Sequence, residues 1–140
     1  MSPTINANDV IKEYGLKNRV LMGELFKSLN NHNWEEAHWK DRITYSEAFP
    51  HIVDWTPSIR NQVGLTLGAL FDWCLDHGYP DLNFAVVTKD TGLPSSDHER
   101  GLGAWYVETF GTMKLYDIYC YNKGELAALF LKNNMITLDP

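Results

Sequence analysis

The stretch Thr56-Pro-Ser-Ile-Arg-Asn-Gln-Val-Gly-Leu-Thr-Leu-Gly-Ala-Leu-Phe-Asp-Trp-Cys-Leu-Asp-His77, closed by Gly78-Tyr-Pro80, decides how the rest of the chain is read. Thr56 is a good N-cap, and Pro57 suits the first helical position, where its missing N–H costs nothing. Ile59, Val63, Leu67, Leu70 and Cys74 recur at steps of three or four, which predicts a helix with one buried stripe. Gly78 offers a left-handed C-terminal residue, and Pro80 bars the helix from resuming. Gly64 and Gly68 lie four apart on it. Arg60, Asp72 and Asp76 exclude a membrane span, so the pair predicts close approach of another element.

Upstream, Asn8 and Asp9 offer capping chemistry before Val10–Tyr14. Val20, Leu21, Leu25, Phe26 and Leu29 predict a second helix starting at Lys17 and ending in the turn Asn30–Asn33. Trp34–Lys40 could add a helical turn or two. Arg42–Glu47 looks like the entry to a short helix capped by Thr44 or Ser46 and stopped by Pro50.

Downstream, Asn83–Thr88 is the best strand, and Asp90–Pro94 the turn that leaves it, with Gly92 available for a positive φ. Ser95–Gly103 reads as an exposed loop and Ala104–Phe110 as a second strand. Met113–Tyr121 fits helix or strand equally. Asn122 with Glu125 resembles a capping box, staple included, that would open a helix over Leu126–Lys132, before an apolar tail Met135–Leu138. The expected fold class is α+β: a helix-rich single domain over residues 1–140, with a small sheet of two or three strands.

Of 140 residues, 44% are hydrophobic and 21% charged, ordinary for a globular fold. Aromatics reach 13%, with five Trp, which suits a dense core or an adhesive surface equally. Twelve basic against eighteen acidic side chains give a net charge of −6. That disfavours nucleic acid as a partner, because phosphate binding draws on Lys and Arg. The first residues are neither basic nor strongly apolar, so no secretory signal is expected, and no run is long enough to span a bilayer. The two cysteines, Cys74 and Cys120, lack metal-finger or CxxC spacing. A cytoplasmic setting, with both as buried free thiols, is the expectation.

The blocks Leu67–Cys74, His77-Gly-Tyr-Pro-Asp-Leu82 and Val86-Val-Thr-Lys-Asp-Thr-Gly-Leu-Pro94 resemble a group of small uncharacterised bacterial and phage proteins. Ile43–Glu47 and Ser58–Gln62 fit the same group, so the likeness spans the middle third to half of the chain. The resemblance brings no activity with it. The group continues with Pro-Gly-x-Gly where this chain has Pro94-Ser-Ser-Asp97. Ile43-Thr-Tyr-Ser-Glu47 followed by an Arg-bearing helix is similar to winged-helix segments of alkyltransferase-like proteins. Their Pro-Cys-His-Arg signature is absent, so only a winged-helix arrangement in the middle of the chain is carried forward.

Chemistry-bearing patterns are incomplete. Glu35 and His38 form one Glu-x-x-His pair, where a di-iron site needs two and further glutamates. Pro80-Asp81 with Lys89 is reminiscent of a nuclease, but position 87, where the second carboxylate belongs, is Val. Asp97, His98 and Glu99 could make a small hydrolase's general base, although no nucleophile stands in a recognisable elbow. Gly101 and Gly103 lack the third glycine of a phosphate loop. No metal or cofactor is expected.

The best-supported expectation is a non-enzymatic protein-interaction module, such as a phage or mobile-element accessory or inhibitor protein. Its anchors would come from Trp34, Trp39, Trp55, Trp105 and Tyr106, because interfaces draw their energy from a few large aromatics and Arg. The expected contact region is Thr91, Gly92, Pro94, His98, Trp105 and Tyr106, with at least one of the last two facing outward. Two alternatives stay open. One is a winged-helix-like DNA-associated regulator using Ser58, Arg60, Gln62 and Lys89; the other is the hydrolase using His98 with Asp97 and Glu99.

Overall fold

The computed structural model describes residues 3–13, 19–35, 42–95 and 101–138. Its central element is α4 (Pro57–His77), bounded as its sequence dictates. The Thr56 hydroxyl accepts the Ile59 N–H at 3.2 Å, and Gly78 adopts φ 72°. There Gly78 and Tyr79 donate their N–H groups to the Leu75 and Cys74 carbonyls. Val63, Leu70 and Cys74 are buried as the stripe predicts, and Ile59 and Leu67 pack partly buried against the same core. Trp73, Ala69 and Thr66 widen that face.

Around α4 lie α1 (Asn8–Glu13), α2 (Arg19–Asn31), α3 (Tyr45–Ala48), α5 (Gly101–Phe110) and α6 (Tyr116–Asn133). Leu21, Met22, Leu25, Phe26 and Leu29 of α2 face the core, whereas Val20 turns outward. Thr44 caps α3 in a full capping box with Glu47. Trp34 and Glu35 are not helical, and residues 36–40 fall outside the described parts.

Among the described residues, two sheets of two strands each complete the fold. β1 (Thr4–Asn6) pairs in parallel with β4 (Met135–Thr137), and β2 (Ile43–Thr44) with β3 (Val86–Val87). Pairs this short are marginal alone, and β4 is clamped from its other side. There the Asn30 side chain donates to the Ile136 carbonyl and accepts its N–H, standing in for a neighbouring strand. The chain is therefore helix-rich α+β.

Several expectations need correction. Ala104–Phe110 is helical, forming most of α5, because its ring of aromatics finds packing partners on two helices. Of Asn83–Thr88 only Val86 and Val87 are strand. Leu82–Ala85 is a 3₁₀ turn capped by Asp81, whose carboxylate accepts the Asn83 N–H at 3.0 Å. Asn122 and Glu125 lie inside α6, which starts at Tyr116. An added Cβ at Gly64 or Gly68 would meet no heavy atom within 4 Å, so among the described residues nothing approaches them closely. At Gly124 an added Cβ would meet the Arg42 guanidinium, the movable end of a long side chain.

Asp81 yields a prediction. Its Oδ1 accepts both Asn83 donors, while Oδ2 is buried and has no hydrogen-bond partner. Burial raises its pKa above the usual aspartate range, only partly opposed by the Asn83 bonds and the positive charge of Lys123. A carboxyl raised in the folded state binds its proton more tightly there than in the unfolded chain. Its contribution to stability is thus greatest below about pH 4 and declines as pH rises through the folded-state value. Asp81→Asn should therefore melt higher than wild type at pH 7, and the advantage should vanish at acid pH. A variant destabilised at pH 7 would contradict this.

Candidate functional site

Of the residues predicted to meet a partner, Trp105 and Tyr106 belong to a second, aromatic core beside the main one, and the turn through Thr91, Gly92 and Pro94 reaches it by way of Leu93. Phe84, Tyr106, Tyr116 and Cys120 form its buried centre. Leu93, Leu102, Trp105, Met113 and Tyr119 pack around them, partly buried. Four segments build it: the 3₁₀ turn Leu82–Ala85, which supplies Phe84, the turn after β3, helix α5, and the stretch from Met113 through the first half of α6.

The turn is held by its own bonds. Thr88 donates its N–H to the Leu93 carbonyl at 2.8 Å, and Gly92 donates to Thr88 at 2.9 Å. Gly92 sits at φ 67°, the left-handed geometry that glycine adopts without strain. The Thr91 hydroxyl bonds that of Thr88 and accepts the Leu93 N–H. Thr91 and Gly92 are exposed, but Pro94 is buried. The turn's exit is pinned from two helices. The Tyr116 hydroxyl points at the Pro94 and Ser95 carbonyls, at 3.2 and 2.7 Å, and the Tyr45 hydroxyl accepts the Ser95 N–H.

Helix α5 sets Trp105 and Tyr106 about 100° apart instead of on opposite sides of a strand. Tyr106 points inward, 5% exposed, with Phe110, Tyr116 and Tyr119 rings at 4.7–5.3 Å. Trp105 is the half-buried member. Its ring lies 6.1 Å from each of Phe71 on α4, Phe110 and Tyr119. Phe110 is 49% exposed, and the Lys123 ammonium lies 5.5 Å from the Tyr119 ring. Trp105, Phe110 and Tyr119 thus form one aromatic surface, fixed from behind by the buried tyrosines.

Burial holds the thiol and two of the phenols of this core in their protonated forms. Burial pushes the Cys120 thiol to about 12, with Asp117 adding to the rise and the Tyr116 hydrogen bond opposing it. Burial likewise lifts Cys74 to about 12. Thiols held protonated are poor nucleophiles and poor metal ligands. The Tyr116 and Tyr119 phenols are also raised, first by burial, then by Cys120 and Asp81 respectively. Among the described residues no three His, Cys, Asp or Glu side chains gather as metal ligands would. The surface can offer ring faces and apolar edges to a ligand.

The other proposed anchors fare differently. Trp34 is buried, its indole donating to the Leu29 carbonyl at 2.7 Å. Trp55 is half-buried against Phe49. Trp39, His38, Asp97, His98 and Glu99 lie outside the described residues. Ser58 and Arg60 are exposed at the start of α4, with the Arg60 Nε donating to the Trp55 carbonyl, and Gln62 is half-buried. Lys89 is exposed on the turn. Both strand pairs are parallel, and no antiparallel hairpin that could serve as a wing occurs among the described residues.

One polar cluster carried no sequence signal. Asp9 accepts the Trp73 indole N–H at 2.9 Å and pairs with His77 Nε2 at 3.1 Å. The His77 Nδ1 faces the Trp73 carbonyl at 2.9 Å, and its ring stacks on Tyr79. Among the described residues no hydroxyl or thiol nucleophile is bonded to that imidazole, and the cluster ties α1 to α4. Asp9 lies 64 residues from Trp73 in sequence, beyond any local motif. A groove of about 610 Å³ between α2 and β4, with Arg19 and Lys27 on its rim, includes none of the aromatic surface.

Comparison with protein-family models, with curated proteins and with solved structures finds no match to this chain.

Proposed function

We propose that this chain is a non-enzymatic protein-interaction module that engages a partner protein through the Trp105–Phe110–Tyr119 surface. The observation that carries this reading is a half-open aromatic surface resting on a fully packed aromatic core. Such a surface is already rigid, so little ordering entropy is lost on binding. Large aromatics are also where interface energy concentrates. The turn through Thr91 and Gly92 lies on the same satellite core and is available as the rim. The buried, protonated thiols Cys74 and Cys120 fit a reducing, cytoplasmic setting, and no described helix is long and apolar enough to cross a membrane. An acidic chain favours partners whose contacting surface is neutral or basic.

The test is affinity capture from the native host with wild-type and Trp105→Ala baits, quantified by mass spectrometry. Proteins held by wild type and lost from the variant support the reading. Identical sets of captured proteins would count against it.

A further inference from the structure

Helix α2 and strand β4 leave a groove of about 610 Å³ between them. On the α2 side it follows the stripe Arg19, Gly23 and Lys27. Steps of four residues set the two cations about 12 Å apart along the helix, with Gly23 midway. Both charged side chains are exposed, and among the described residues no carboxylate lines the groove. Glu24, the one acidic residue of α2, is engaged elsewhere and accepts the His51 N–H at 2.6 Å. In a chain of net charge −6 the groove is a local reversal of sign.

Gly23 opens the floor of the groove. It is helical without a positive φ, and a Cβ added there would come only to ordinary contact, 3.9 Å, with the Leu138 side chain. Neither the backbone nor the packing therefore requires glycine, although glycine weakens a helix interior. Its missing side chain leaves a notch walled by Val20, Met135 and Leu138. Val20 is 74% exposed and Met135 46%, so the apolar wall is open to a ligand.

We infer that this groove binds an extended segment of a partner protein with the pattern acid-x-apolar-x-acid. An extended chain turns alternate side chains to one face and sets residues four apart at about 13 Å. Two carboxylates then meet Arg19 and Lys27, and the apolar side chain between them enters the notch at Gly23. A helix, about 10–12 Å across, would bridge so narrow a notch instead of filling it. Strand pairing with β4 does not hold the segment, because the Asn30 side chain already takes the Ile136 N–H and carbonyl. Recognition rests on side chains, so the pattern decides it. Within this chain the pattern occurs at Asp9–Glu13 and Asp72–Asp76, both inside helices, so a second copy does not offer it extended. The groove shares no residue with the Trp105 surface, and this inference does not depend on that reading.

The test is selection from a random peptide library displayed on phage, cleared first on the Lys27→Glu variant and then panned on the wild-type chain. Clearing removes peptides that bind elsewhere, the Trp105 surface included. The peptides that survive should carry the acid-x-apolar-x-acid pattern. In fluorescence anisotropy a synthetic copy should lose about tenfold or more in affinity for Lys27→Glu. Gly23→Leu, which fills the notch, should lose as much while melting no lower than wild type, because leucine is the better helix former. Val53→Glu, which adds negative charge outside the groove, should bind within about twofold of wild type, since salt screens distant charges. No surviving peptide, survivors without the acids, or a survivor that binds Gly23→Leu as tightly as wild type overturns the inference. So does a wild-type chain that self-associates and becomes monomeric on Lys27→Glu, which would make a second copy the occupant. None of these outcomes touches the Trp105 reading, which the capture experiment decides by itself.

Discussion

Leu70→Ala is expected to lower the stability of this protein by about 2–5 kcal/mol. Leu70 is fully buried in the middle of α4, where it joins the main core with Trp73, Cys74 and Val63. Truncating it forfeits the transfer energy of the lost carbons and leaves a cavity that packed neighbours fill only in part. Leu75, five residues later on the same helix, is 67% exposed. Leu75→Ala should stay within about 0.5 kcal/mol of wild type, as surface changes do. Thermal or urea melts of the two variants check the facing of the helix directly. Equal effects, or a larger one at Leu75, would mean that α4 is rotated from the arrangement described.

That helix was legible because every local signal agreed: cap, first-turn proline, apolar period and C-terminal glycine. The short helix entered at Arg42–Glu47 was legible too, with Thr44 and Ser46 both open as its cap; the structure uses Thr44. The strands were not. β1, β2 and β4 are two or three residues long, too short for an alternation to show, and each exists through a partner remote in sequence. Asn30, which clamps β4, lies 106 residues from Ile136. Ala104–Phe110 misled because Trp, Tyr, Val and Phe favour strands on average, while tertiary packing against α4 and α6 decides the outcome here. Asn122 and Glu125 imitated a helix start inside a longer helix, since capping residues are only neutral to mildly unfavourable in an interior.

Trp105→Ala is expected to weaken partner binding by about 2 kcal/mol or more, roughly 30-fold in Kd. Its ring is the half-open member of the aromatic surface and touches three other rings, so it serves as anchor and as support for Phe110. Because those contacts are partly internal, a loss of about 1 kcal/mol in stability should accompany the change. Phe110→Ala separates the two effects: it removes the more exposed ring at the end of α5 and should cut binding with less cost to the fold. Tyr106→Ala should behave in the opposite way, costing about 3–5 kcal/mol of stability, as truncation of a buried aromatic does. Titrations at matched folded fraction would show this, and binding that is indifferent to both Trp105 and Phe110 would remove the site.

The region was visible in the sequence as an aromatic pair following a turn anchored on a strand, but the assignment of roles was not. Alternation along a strand allows either Trp105 or Tyr106 to face outward. The helix, and the tyrosines of α6 that receive Tyr106, decide it. Tyr119 went unsingled because it reaches Trp105 only through the packing of α5 on α6, and Phe110 because it meets Trp105 within a segment read as a strand. Pro94 looked like a surface turn residue, yet two tyrosine hydroxyls bury the end of its turn.

The most direct measurement is site-specific photo-cross-linking in the native host, with a benzophenone amino acid placed at Phe110 and, as a control, at Val53. Val53 is 95% exposed and belongs to no cluster described above. The probe at position 110 should form one dominant adduct with a partner protein, and that adduct should disappear when Trp105→Ala is added. The probe at position 53 should yield none. No adduct from position 110, or the same adducts from both positions, would contradict the account.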